Sequence, residues 1–420
     1  MINIQNKQDC TGCRACVQRC PKQCISMHED EEGFSYPRVN LDDCIDCGLC
    51  EKVCPVIHVS EARKPADVLA AVNPNEGERL RSSSGGIFIL LCRQVISRGG
   101  VVFGARFDEH WQVGHGYAET MEEAEAFLGS KYVQSNIGES YRQTEAFLKE
   151  GREVLFSGTP CQVAGLRLFL RKEYANLLCV DFICHGAPSP GVWREYLKEY
   201  VARQRDRQKY SFESPCKNDE IGVSRISFRD KEQGWQKFSF ALSLSVPERA
   251  RRKNSVSRSI HLSETLHENA FMQGFLRDLY LRPSCHACPV KELRSGSDLT
   301  LGDYWGIGSV LPEADDDKGM SAVTVNTEKG RDAFAACGAE VVSHRSYEEL
   351  RRLNPAIAVS ARVPVNREKF FASKGKDIIW RMRHYSRRPL RQRMSARVRG
   401  FLSMLLGRKG KDIVKRLLKK

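Results

Sequence analysis

What this 420-residue chain lacks narrows its class first. Its opening residues, MINIQNKQDC, contain no basic segment followed by an apolar one, so nothing predicts a secretory signal. No apolar run approaches the roughly 20 residues that span a bilayer. The Gly/Ser-rich stretch RSSSGG lacks a G-x-G-x-x-G opening, so a Rossmann domain is not expected. FSGTPCQVAG lacks the Gly-Lys-Ser/Thr ending of a phosphate loop. Negative charge is scarce at one end: residues 361–420 carry 20 Lys and Arg against 3 Asp and Glu, so residues 1–360 are near −3 although the whole chain is +14. A basic tail, rather than a basic protein, sets the high isoelectric point.

Cysteine is abundant, with 17 residues. Close cysteine spacing in a chain without a secretory signal points to metal ligation rather than disulfides, and to the cytosol or the inner face of a membrane. The length allows two or three domains. The first, residues 1–60, contains an internal repeat: Cys10, Cys13, Cys16 and Cys20 recur 34 residues later as Cys44, Cys47, Cys50 and Cys54, and each run ends in Cys-Pro. Both match C-x2-C-x2-C-x3-C-P, the spacing of bacterial two-cluster ferredoxins, in which the fourth cysteine ligates the other cluster. One 4Fe-4S cluster is thus assigned Cys10, Cys13, Cys16 and Cys54, and the other Cys44, Cys47, Cys50 and Cys20. Structural zinc would need only four tetrahedral ligands per site and leaves the doubled pattern unexplained. Cys24 falls outside the pattern and reads as a bystander.

A polar linker (Ser60–Asp67) leads to alternating strand-like and helix-like segments, which predict an α/β (mixed α+β) domain over 68–360. RSSSGGIFILLCRQVISRGG reads as a helix with a Gly/Ser start and a Gly-Gly stop. VVFGARF, REVLFSG, LLCVDFIC and DLTLGDYWG read as strands, with helices in CQVAGLRLFL and GVWREYLKEY. Residues from about 203 to 260 give only weak strand signals.

Six stretches in order, RSSSGGIF, GGVVFGARFD, GSKYVQS, VLFSGTPCQVAGL, DFICHGAPSP and LGDYWGI, resemble the iron–sulfur flavoprotein family of coenzyme F-420 hydrogenase/dehydrogenase beta subunits. The resemblance runs over roughly residues 68–310 and implies FAD as cofactor. It places Ser82, Ser83, Ser84, Gly85 and Gly86, then Lys131, Tyr132 and Gln134, then Gly158 and Thr159, at the flavin. A Ser/Gly helix start offers backbone N–H groups to a pyrophosphate at the positive helix end, although such residues are also ordinary N-caps. The family's deazaflavin coenzyme is not implied by any residue here.

Four later cysteines stand apart. Cys161 and Cys184 each follow a predicted strand, and strand ends of an α/β sheet converge on one crevice. Cys285 and Cys288 form a C-x2-C that closes a set of four thiols. A third iron–sulfur cluster, a zinc, a catalytic thiol at Cys161 or Cys184, and plain buried thiols all remain open. A helix N-terminus would favour a thiolate at Cys161. His185, Asp303 and Tyr304 are acid/base candidates. Cys92, Cys179, Cys216 and Cys337 read as packing or surface residues, and Asp315–Gly319 as a solvated turn.

In the tail, Val398, Phe401, Leu402 and Leu405 recur at helical spacing, as do Ile413, Val414, Leu417 and Leu418. Cationic amphipathic helices of this kind dock on anionic membrane surfaces, at about 1 kcal/mol per basic residue. A partner protein or a disordered tail are the alternatives; nucleic acid explains the apolar stripes poorly. The expected function is an oxidoreductase relaying electrons between two 4Fe-4S clusters and FAD to or from a small organic substrate or coenzyme. The alternative is an electron-transfer subunit that feeds a partner enzyme. Either needs a redox partner protein or ferredoxin.

Overall fold

The computed structural model describes residues 1–209, 222–246 and 258–387. Chain order runs through β1 (Ile25–Glu29), β2 (Ser35–Val39), β3 (Asp67–Val72), β4 (Val101–Phe107), β5 (Val113–Ala118), β6 (Val154–Gly158) and β7 (Leu177–Phe182). It continues through β8 (Gly222–Asp230), β9 (Ser239–Val246), β10 (Arg258–Thr265), β11 (Leu299–Asp303), β12 (Ser321–Val325) and β13 (Glu340–His344).

An eight-stranded sheet in the order β13-β3-β12-β11-β7-β6-β4-β5 forms the main body. Its middle, β4-β6-β7-β11, is parallel, and the flanking strands are antiparallel. Parallel strands covered on both faces need near-continuous apolar sequence. Val154, Leu155 and Phe156 of β6 and Leu177 to Val180 of β7 meet that need and are buried. The helix Pro160–Leu170 makes the crossover from β6 to β7, so both strands, with β11, point their C-terminal ends to one edge. The chain is therefore mixed α/β, as its alternating segments predict.

A separate antiparallel sheet, β10-β9-β8, packs its Phe228, Phe240, Leu242 and Leu244 against Trp193, Tyr196 and Phe271. It lies in the 203–260 region where sequence signals were weak. The small β1-β2 hairpin belongs to the cysteine-repeat domain.

The tail does not begin at 361. Helices Arg367–Ala372 and Ile378–Tyr385 bury Phe370, Ile378, Ile379 and Met382 in the same core as β8–β10. Arg367 pairs with both carboxylate oxygens of Glu32 in the N-terminal domain. Apolar residues at helical spacing are satisfied by packing here, so charge count alone set the domain boundary too early. The amphipathic stripes at Val398–Leu405 and Ile413–Leu418, like Cys216, lie outside the described residues.

Two smaller expectations also change. Asp315–Gly319 is a turn with exposed Asp316 and Asp317, yet it is also an anchor: Asp316 accepts from both terminal nitrogens of buried Arg79 at 2.8 and 2.7 Å, and Asp315 accepts from Gln236. Cys24 stands outside the repeat, but the turn through Gln23 sets its Sγ 3.4 Å from that of Cys20. Cys92, Cys179 and Cys337 are buried packing residues.

Candidate redox centres and flavin cleft

The cysteine repeat extends to the backbone. Gly12 and Arg14 between the first cysteines, and Asp46 and Gly48 at the equivalent positions, all have positive φ. Left-handed residues curl each loop so that successive thiols face one centre. Burial raises the thiol pKa of Cys13 to about 12, and neighbouring Cys54 and Cys10 push the same way. Cys54 from the second repeat thus stands among the first repeat's thiols. Cys20, Cys44, Cys47 and Cys50 line a separate space of about 20 Å³, with Cys24 beside them. Cys47 is exposed, between exposed Leu41 and Ile45 and the acidic Asp42, Asp43 and Asp46.

The domain is locked onto the main body by buried polar groups. Arg282, 1% exposed, donates to the Cys10 carbonyl at 2.7 Å, to the Ser35 carbonyl at 3.0 Å and to Gln134 Oε1 at 3.0 Å. Gln134 in turn donates to the Thr11 carbonyl. Gln134 thereby helps dock the cysteine loop while also lining the cleft described below. Gly33 and Gly191 touch backbone to backbone, where a Cβ on Gly33 would stand 2.5 Å from the Gly191 Cα. The linker is pinned too, with Arg63 donating to the carbonyls of Leu293 and Ser297.

Three residues beyond Arg282 the chain reaches Cys285. Cys161, Cys184, Cys285 and Cys288 line one cavity of about 50 Å³, with Thr11 of the cysteine-repeat domain in its wall. Cys161 sits in the first turn of the helix that follows β6, and Cys184 just past the end of β7. The expected thiolate-stabilising helix end does not decide the matter. Burial, with Cys288, Cys184 and Cys285 close by, pushes the Cys161 thiol well above its ordinary value. The Cys184 thiol is pushed up to about 12 by the same causes, although Lys291 opposes them. Four neighbouring thiols of this kind can ionise together when cations share their charge. Among the described residues no three His, Cys, Asp or Glu side chains converge on a single-ion position. The four thiols surround a space instead, which fits a multi-iron cluster better than one tetrahedral ion.

Thr159, Cys161, Asp181, Cys184 and His185 also line a second, larger cleft, of about 580 Å³. That lies within the about 300–1,000 Å³ typical of small-molecule sites. At one side lie Ser82, Ser83, Ser84 and Gly86, before the helix Ile87–Ser97. Its N-cap, Gly86, has φ +84° and no side-chain cap, so the helix end offers free N–H groups to an anion. Gly85 must be glycine, since a Cβ would stand 2.6 Å from the Ala71 carbonyl oxygen. Ser83 Oγ accepts from the Ser130 N–H at 2.7 Å, and Ser84 Oγ donates to the Met320 carbonyl. Lys231, absent from the sequence reading, donates to the carbonyls of Arg79, Ser84 and Lys318 and so fixes this loop.

Lys131 also lines the cleft; burial lowers its pKa to about 7, and it donates to the Ala126 and Leu128 carbonyls. Tyr132 stacks on Phe275 with centroids 4.4 Å apart. Gly158 and Thr159 stand at the end of β6, where Thr159 Oγ1 is 3.1 Å from Cys161 Sγ. His185 is half-exposed and hydrogen-bonds Asp278 at 2.5 Å. Asp303 is not a free acid. Its carboxylate takes two bonds from Arg229, at 2.7 and 3.2 Å, and one from Trp235 Nε1 at 3.0 Å. Tyr304 is buried away from the cleft with its hydroxyl on Glu349. Arg229, Arg282 and Asp181 were missed because their partners lie far away in the chain; only the basic residue just before PSCHAC hinted at Arg282.

Residues 151–349 match the family model for the C terminus of the coenzyme F420 hydrogenase/dehydrogenase beta subunit, and residues 9–57 match the 4Fe-4S dicluster domain. One subunit of the F(420)H(2) dehydrogenase of Methanosarcina mazei is 24% identical over 220 residues, which are 48% of this chain and 61% of that protein. A ferredoxin of Mycolicibacterium smegmatis is 44% identical over 43 residues, 10% of this chain and 36% of the ferredoxin. The chain thus spans less than two thirds of either relative. A solved F420-reducing [NiFe] hydrogenase complex from Methanosarcina barkeri contains a chain that is 17% identical, with a TM-score of 0.44 over 71% of this chain and 92% of that one. No helix among the described residues is long and apolar enough to cross a membrane. Residues 151–349 therefore carry the C-terminal domain of coenzyme F420 hydrogenase/dehydrogenase beta subunits, behind an N-terminal 4Fe-4S dicluster domain.

Proposed function

We propose that this protein is an iron–sulfur flavoprotein oxidoreductase in which electrons pass in single file. Cys20, Cys44, Cys47 and Cys50 would hold one cluster at the exposed edge, Cys10, Cys13, Cys16 and Cys54 a second, and Cys161, Cys184, Cys285 and Cys288 a third. The adjoining cleft would hold FAD, the group that would supply redox chemistry toward a small organic substrate or coenzyme. The carrying observation is the shared wall: Thr11 of the dicluster domain borders the four-cysteine cavity, and Cys161 and Cys184 border both that cavity and the cleft. Bound flavin would convert single electrons into a two-electron transfer.

The chain's own part is positional. The Gly86 helix end and Ser83 would receive the pyrophosphate, and Lys131 would place a cationic group in the cleft. Arg229, held by Asp303, keeps Trp305 and Phe238 under a fixed guanidinium, with ring centroids 5.0 and 4.2 Å away. The names of relatives suggest the deazaflavin coenzyme F420 as a substrate, and a deazaflavin ring suits a cleft of this size.

The exposed Cys47 edge fits a redox protein with a basic contact face, because Leu41 and Ile45 are ringed by aspartates. Anaerobic stopped-flow with a cationic one-electron donor protein tests the order. Cluster bleaching should precede flavin reduction, and the bimolecular rate should fall as salt rises. Flavin reduced ahead of the clusters, or no flavin signal, would overturn the scheme.

A further inference from the structure

Asp181 ends the buried part of β7 and is 2% exposed, and its Oδ1 has no hydrogen-bond partner. A buried carboxylate oxygen left unpaired is costly unless it has a use. The residue lines the four-cysteine cavity and the cleft alike. Strand register sets it beside Gly158 of β6 and Thr300 of β11, with Thr324 of β12 next in the row. Such a polar row is unusual in a sheet buried on both faces.

The row continues as a chain of hydroxyls. Ser295 Oγ donates to Ser297 Oγ at 3.2 Å, and Ser297 and Thr300 share a bond of 3.2 Å. Asn326, which is only partly buried, donates to both at 3.2 and 3.0 Å. The charged neighbours come from three elements: Arg63 of the linker, Arg167 of the crossover helix, and Asp298 before β11, which pairs with Arg167 at 3.2 Å. Cys179 stands two residues back on the same strand. Lys291 and His185 lie in the wall of the same cavity.

We infer that Asp181 is the proton acceptor that balances the charge of an electron arriving in the four-cysteine cavity, supplied through the Ser295–Ser297–Thr300 hydroxyl row from the Asn326 surface. The inference rests on the reading that the cavity holds a cluster. One electron comes from a low-potential one-electron donor by way of the dicluster domain. One proton from solvent neutralises the Asp181 carboxylate, and reoxidation releases both. Burial raises the carboxyl pKa to about 6 against the lowering effect of the Ser295, Thr300 and Ser297 hydroxyls. The group is therefore mostly ionised at neutral pH until negative charge arrives nearby and raises its proton affinity further.

An EPR-monitored redox titration of the full, anaerobically purified chain at several pH values tests this. Above about pH 6 the midpoint of the third cluster should fall by about 59 mV per pH unit, the tenfold-per-unit coupling of one proton to one electron. Asp181→Asn should flatten that dependence with iron and flavin contents unchanged. Thr300→Val removes a hydroxyl that favours the ionised carboxyl, so it should keep the slope but start it at higher pH. A flat wild-type profile on a twelve-iron protein, or a slope that survives Asp181→Asn, would overturn the carboxylate's role alone. A wild-type protein with only eight irons would overturn the cluster reading and this inference together.

Discussion

Replacing Cys184 with alanine should lower the iron content from about twelve to about eight per chain and disconnect the flavin from electrons delivered to the dicluster domain. Cys184 emerges at the end of β7 into a cavity already lined by three other thiols. Losing one ligand leaves three thiolates and an open corner, whereas the two ferredoxin-type sites share no cysteine with that cavity. EPR should therefore keep the signals of the first two clusters and lose the third. Flavin should still bind, and should still be reduced by a hydride donor reaching the cleft directly. Cys179→Ala is the matching control: that thiol is buried on the same strand but faces packing residues of the main body, so its loss should leave about twelve irons. Equal iron in the two variants would contradict the assignment.

Asp303→Ala should destabilise the fold by about 3–5 kcal/mol, the usual consequence of leaving a buried charge without its partner. Arg229 is 2% exposed in its side chain, and Asp303 supplies its counter-charge through two bonds. The guanidinium also lies over Phe238 and Trp305, so the damage should spread to the cleft wall and weaken flavin retention. Chemical denaturation of both proteins with equal cofactor loading measures the loss. Asp303→Asn keeps one acceptor oxygen and the side chain's shape, and should cost less. A wild-type-like stability for Asp303→Ala, paired with complete loss of turnover, would instead make the carboxylate a proton donor.

The two residues also show which features the sequence could reveal. Ligand spacing is local, so Cys10 to Cys54 and the strand-to-thiol junctions at Cys161 and Cys184 were legible from their neighbours. Parallel strands buried on both faces leave continuous apolar runs, which made β6 and β7 plain, whereas the half-buried pattern of β8 (Gly222–Asp230) gave little signal. The Arg229–Asp303 pair is 74 residues apart and the Arg282–Cys10 contact 272. Pairings at that range leave no periodic trace, and so Asp303 looked like a free acid. Gln134 read as a polar cofactor edge because nothing local shows that its amide reaches Thr11. Cys24 read as idle because it lies outside the repeat, although a tight turn through Gln23 sets it beside Cys20.

The most direct test of the whole relay is a joint count of iron, acid-labile sulfide and flavin on the anaerobically purified chain. The account predicts about twelve irons, about twelve sulfides and one FAD. About eight irons, or a protein that binds no flavin, would contradict it.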